Sequence, residues 1–231
     1  MLYLTDMKKQ EFLGSYWPLI QAIATSYCVS LLLFLGRVFA TDSLRYWFLI
    51  WNLALGWVPV ALAAMLVRGL AKKRWLTGWN IVYTVLWLGF LPNSFYILSD
   101  MMHIHSTGEI GQLYDVVMFA SFVFNGFVTG FISLYMVHSQ LLKRFKDFHA
   151  HLVVAAVVLA SGFAIYLGRN LRWNTWDIVV HPFAVLFDIS DRIINPTTHP
   201  QAFVTTATFS MLIGSMYIVI WQFVKVVKHG K

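Results

Sequence analysis

The sequence predicts an all-α, polytopic membrane protein: six transmembrane helices, both termini cytoplasmic, and an amphipathic helix in the outer interface. Three observations predict it. Apolar runs long enough to cross a hydrocarbon core of roughly 30 Å as a helix, about 20 residues each, recur along the chain. Only 12% of residues are charged against 59% hydrophobic, where soluble domains average about 25% charged. The cations collect in alternate connections, as they do in cytoplasmic loops.

Each element follows in order. A polar stretch, Met1 to Glu11, carries Lys8 and Lys9 and precedes a first span from Trp17 to Val38. No small-residue cleavage pattern follows that run, so it is expected to stay as an anchor. The second span, Tyr46 to Val67, ends at Arg68, Lys72, Lys73 and Arg74. The third, Leu76 to Leu98, leads into Ser99 to Leu113, which has neither Lys nor Arg. The fourth, Tyr114 to Leu141, is followed by Lys143, Arg144 and Lys146; the fifth is Leu152 to Leu171; the sixth, Phe203 to Val227, is accompanied by Lys225, Lys228 and Lys231. The basic groups therefore fall on one side of a six-span chain, and the positive-inside bias makes that side cytoplasmic.

Residues 172–200 form an extracytoplasmic connection that departs from this pattern, because Arg172 and Arg192, with Arg169 just before them, fall outside. Within it, His181-Pro182 to Asn195-Pro196 reads as a short interfacial helix. Pro182 suits the first turn; Phe183, Leu186, Phe187, Ile189, Ile193 and Ile194 supply an apolar face, and Asp188, Asp191 and Arg192 a polar one. A shallow re-entrant hairpin is the alternative. Trp and Tyr near the span ends, among them Trp17, Tyr46, Trp75 and Trp221, form the belts that interfaces favour. Gly126 and Gly130 make a small-xxx-small pattern, suited to packing within the chain or to dimerisation.

Several classes are excluded. No linker separates soluble domains, so residues 1–231 read as one transmembrane domain. The single cysteine, Cys28, rules out an internal disulfide and a cysteine metal cage. The net charge of +7 lies beside apolar spans, where cations set orientation and meet anionic membrane lipids, and nucleic acid is not an expected partner. No Gly-rich phosphate loop, H-E-x-x-H helix or G-x-S-x-G elbow is present. His138, His149 and His151 sit at span ends among Lys143, Arg144 and Lys146, which does not suit a haem pair.

The polar residues that need explaining gather toward the outer side. Asn93, Tyr96, Asp100 and His103, spaced by three, four and three, share one face of a helix. Such groups are costly against lipid and mark a candidate site. Pro92 is expected to bend the span, with Asn93 able to satisfy the freed backbone groups. Asp100 and His103 are candidate acid and base, and with Asp115 they form a candidate set for a divalent metal; a hydrogen-bonded cap at the span end is the alternative. Arg169 and Arg172, one helical turn apart, can present two guanidinium forks to one phosphate or carboxylate, or else meet lipid headgroups, Asp177 and Asp115. Asn93, Tyr96, Asn174 and Asp177 complete the candidate substrate-binding set with these arginines. Asn52 and Tyr166 lie near the same level, Trp173 and Trp176 would hold the turn at the interface, and His105 has no evident role.

Three stretches carry a resemblance: Asn52 to Pro59 (NLALGWVP), Leu91 to His103 (LPNSFYILSDMMH) and Gly162 to Asp177 (GFAIYLGRNLRWNTWD). Through them the chain resembles, from about Trp47 to Trp221, the bacterial membrane family filed as domain of unknown function 1361. The resemblance implies an integral bacterial membrane protein with several spans and brings no activity with it; the membrane expected is the bacterial cytoplasmic membrane. The family pattern often has Thr where this chain has Ser99, a change that keeps the hydroxyl.

The leading expectation is an outward-facing, membrane-embedded site that binds or processes an anionic, phosphorylated lipid-linked substrate, with enzymatic turnover left open. A small transporter or channel, lined by a bent third span, is one alternative. A non-catalytic assembly or accessory protein is the other.

Overall fold

Helix accounts for all the regular structure that the computed structural model describes, over residues 2–104 and 111–229, with side chains placed at 17–104, 111–178 and 180–227. His105, Lys231 and the side chains of Lys8, Lys9 and Lys228 lie outside the described residues. In chain order the helices are α1 (Leu2–Thr41), α2 (Phe48–Leu55), α3 (Val58–Leu70), α4 (Gly78–Tyr96), a 3₁₀ helix (Ile97–His103), α5 (Gln112–Leu142), α6 (Asp147–Asn170), α7 (Asp177–Val180), α8 (Pro182–Ile194) and α9 (Pro200–His229). Six helical stretches are long and apolar enough to cross a membrane: Trp17–Thr41, Phe48–Leu70, Gly78–His103, Gln112–Leu142, Asp147–Asn170 and Pro200–Val227. They coincide with the six predicted spans, and the chain is a multi-pass membrane protein.

Two spans depart from the regular helices that the sequence suggests. The second is broken between α2 and α3, where Pro59 cannot donate a helical N–H and Gly56 weakens the turn before it. Ser94 donates its hydroxyl to Gly56 O at 3.1 Å and so supports a carbonyl at the break. The third span changes period at Ile97, from the 3.6 residues per turn of α4 to the three per turn of a 3₁₀ helix. The four-residue face expected over Asn93 to His103 therefore ends with α4, and beyond it Asp100 and His103 eclipse one another as residues three apart.

The backbone divides into two units, Met1–Ile50 with Asp100–Asn125, and Trp51–Ser99 with Gly126–Lys231. In the first, α1 and the start of α5 are tied by polar groups. Asn125 donates to Ser26 O at 3.1 Å and Ser30 Oγ at 2.8 Å, and the Tyr114 hydroxyl donates to Leu33 O at 2.7 Å. In the second, α3 packs on α4, and α6 packs on both α4 and α9. Gly126 and Gly130 seat α4: a Cβ on Gly126 would lie 2.6 Å from Ser94 O, and one on Gly130 2.6 Å from the Phe95 ring. The small-xxx-small pattern thus serves packing within the chain. Phe95, Phe127 and Phe131 meet there with centroids 5.3 to 5.6 Å apart, a buried aromatic core.

Candidate functional site

The last turn of α6 carries Arg169, and the end of α4 receives it. Gly168 makes this possible, since a Cβ there would sit 3.0 Å from the Tyr96 ring. The guanidinium carbon of Arg169 lies 4.7 Å from the centroid of Tyr96, a cation–π arrangement. Its Nε and Nη2 donate to Ser99 Oγ at 3.0 and 2.6 Å. The Ser99 hydroxyl proton is directed to Tyr96 O at 2.6 Å, which turns the oxygen lone pairs toward the arginine. Ser99 lies outside the set that the sequence suggests; its hydroxyl, within the Tyr96 to His103 stretch, is the signal that points to it.

Beyond Arg169 the helix stops at Asn170, so Arg169 and Arg172 do not occupy one helical turn as expected. Leu171 N–H still bonds to Leu167 O, as does Trp173 N–H, both at 3.2 Å. Between them Arg172 takes a left-handed backbone (φ 62°), a conformation that glycine adopts freely and other residues at a cost. The Arg172 side chain is exposed and makes no salt bridge among the described residues.

The other members of the predicted set have local partners. Asn174 N–H donates to Asp177 Oδ2 at 2.6 Å, which places that carboxylate over the start of α7. Asn93 Nδ2 donates to Thr175 Oγ1 at 3.2 Å, and α4 runs through Pro92 without ending. Asn93 thus fixes the connection after α6 against α4. Trp176 meets Phe90 edge-on, at 6.1 Å, on the same side.

Next to this turn α8 inverts the arrangement of a soluble helix. Phe183 and Phe187 are 85% and 72% exposed, and Ile193 and Ile194 also point outward. Its polar face turns into the protein: Trp173 Nε1 donates to Asp188 Oδ2 at 2.6 Å, and Arg192 Nη1 bonds to Asp188 O and Oδ1 at 3.0 and 2.8 Å. Burial works to lower the Arg192 pKa, but the Tyr166 hydroxyl and the Asp188 carboxylate beside it hold it above its ordinary value. Arg192, a local conflict with the charge rule in sequence, is a buried structural cation. At the end of α8 Asp191 accepts from Asn195 Nδ2 and pairs with His199 Nε2, both at 2.8 Å. Those two side chains hold its carboxyl below the ordinary value.

The first unit contains Asp100, His103 and Asp115. Asp100 is closed to solvent, whereas His103 is exposed and lies edge-on to Phe48 at 5.5 Å. The expected metal set of Asp100, His103 and Asp115 does not form: among the described residues no three His, Cys, Asp or Glu side chains gather to hold an ion. Asp115 is committed elsewhere, its Oδ1 accepting from Arg37 Nε at 2.8 Å with both side chains fully buried. That cation supplies the positive charge that an ion would otherwise bring. Arg37 also stacks 4.3 Å from the centroid of Tyr46, whose hydroxyl donates to His103 O at 3.4 Å.

The family model described as "Protein of unknown function (DUF1361)" matches residues 51–216 of the chain. No curated protein and no solved structure matches it.

Proposed function

The chain belongs to the DUF1361 family, and from that premise we propose that it binds a phosphorylated, lipid-linked substrate in a bacterial cytoplasmic membrane, at the outward end of α6. Arg169 and Arg172 supply the charge that grips the phosphate. The observation that carries this is the state of Arg172: an exposed guanidinium without a salt-bridge partner among the described residues, held out by a left-handed backbone. A non-glycine residue in that conformation costs about 1–2 kcal/mol, and such strain is characteristic of functional positions. Arg169, three residues away, is already oriented by Ser99 and Tyr96, so little of its freedom is lost when an anion arrives. The exposed apolar face of α8 suits the interface from which a lipid-borne group would approach.

Native mass spectrometry tests the proposal directly. Protein in mild detergent is incubated with a polyprenyl phosphate or with the uncharged polyprenol of equal length. Retention of the phosphate alone, lost in the Arg169→Gln, Arg172→Gln double variant, is the expected result. Equal retention of both lipids removes the basis for an anion site.

A further inference from the structure

A second site lies at the opposite, basic end of the helices. Between α4, α5 and α6 is a cavity of about 70 Å³ that presents no polar surface to its interior. Its deep wall is Trp87, Leu134 and Val157; near its other end stand Trp75 and Leu141. From Leu134 to Leu141 is two turns of α5, roughly 10 Å at 1.5 Å per residue. The cavity is not sealed. Leu88 on α4 and Val153 on α6, which also line it, are 40% and 42% exposed, so it opens on the outer surface of a membrane-spanning bundle.

Thr84 and His138 also stand in its wall but turn no polar surface into it, and such a cavity does not hold water stably, because a buried water needs two to four polar partners. The medium at its mouth is hydrocarbon. Its shallow end, by contrast, is ringed by cations. Trp75 directly follows Lys72, Lys73 and Arg74, and Leu141 is two residues before Lys143. The Arg144 guanidinium lies 5.8 Å over the Trp75 ring, and its Nη2 donates to Leu70 O at 3.0 Å, which brings the two basic connections together. The turn that presents Arg74 is rigid, since Asn80 Nδ2 and Thr77 Oγ1 both donate to Arg74 O, at 2.9 and 2.8 Å. The acid at this end, Asp147, makes no salt bridge among the described residues and is outnumbered by the cations.

We propose that this cavity takes one acyl chain of an acidic glycerophospholipid, whose phosphate rests against Arg74 and Arg144. Apolar volume, an opening to the lipid phase and a fixed cationic rim at one end together match a molecule with a hydrocarbon tail and an anionic head. The site is independent of Arg169 and Arg172.

The test uses phosphatidylglycerol and phosphatidylcholine with brominated acyl chains, added to the full-length protein in micelles, with quenching of tryptophan fluorescence as the readout. The native protein should show saturable quenching at a roughly tenfold lower fraction of phosphatidylglycerol than of phosphatidylcholine. Val157→Phe, which fills the deep wall, should abolish the saturable part with both lipids. The Arg74→Gln, Arg144→Gln pair, exposed and outside the core, should make the two lipids equivalent. Quenching that is alike for both lipids in the native protein, or a preference for phosphatidylglycerol that survives the arginine pair, overturns the site. Arg169→Gln and Arg172→Gln should leave this quenching unchanged, so failure here and failure of the outer site are read separately.

Discussion

Arg37 and Asp115 meet at 2.8 Å with no solvent access to either side chain, and they join α1 to the start of α5. Taking both charges out of water is costly, and the pair offsets that cost only while both members are present. Asp115→Ala should therefore destabilise the protein by about 3–5 kcal/mol, because it strands a buried cation. The double replacement Arg37→Met, Asp115→Leu should cost much less than the two single changes added together. Thermal unfolding in detergent, followed by circular dichroism, checks both.

Ser99 should matter through its oxygen. Ser99→Ala removes an acceptor from a cation, a contact worth about 1.5–3 kcal/mol, and it frees Arg169 from its place over Tyr96. Affinity for a polyprenyl phosphate should fall roughly tenfold or more, whereas Ser99→Thr should keep it. Titration of the two variants under one set of conditions separates the hydroxyl from the side-chain volume.

Acid should loosen the end of α8. The Asp191 carboxyl is held below its ordinary value by Asn195 and His199, so its contribution is present above the ordinary carboxylate range and is lost as pH falls through the depressed value. Hydrogen exchange over residues 191–199 should accelerate on acidification through that window. Asp191→Asn should exchange faster at neutral pH and show less dependence on acid.

Gly126→Val should cost about 1–3 kcal/mol by overpacking, because a Cβ there already meets Ser94 O and Ile97 Cγ2 at 2.6 Å. The oligomeric mass should not change. A loss of dimer without loss of thermal stability would assign the glycine face to association instead.

The spans were legible because membrane thickness forces long apolar runs, and the interfacial helix because its apolar and polar residues alternate at helical spacing. What escaped was determined by particular neighbours. Arg37 sits inside the apolar run Trp17 to Val38, where averaging hides a single cation; a charge within a span is the signal that finds it. The stripe from Asn93 to His103 assumed one helical period, and nothing in Ile97 to His103 announces a 3₁₀ turn. Arg169 and Arg172 have helical spacing in sequence, yet α6 ends between them, at an arginine rather than at the glycine that usually marks such an end. Asp115 looks like a ligand in sequence because its partner lies 78 residues away on another helix.

Equilibrium binding of a short-chain polyprenyl phosphate and of the matching polyprenol, by the native protein and by Arg172→Gln, tests the central claim most directly. The account predicts that the native protein prefers the phosphate by about tenfold or more, a difference of about 1.4 kcal/mol, and that the variant loses most of this preference. Equal affinities in the native protein, or an undiminished preference in the variant, would contradict it.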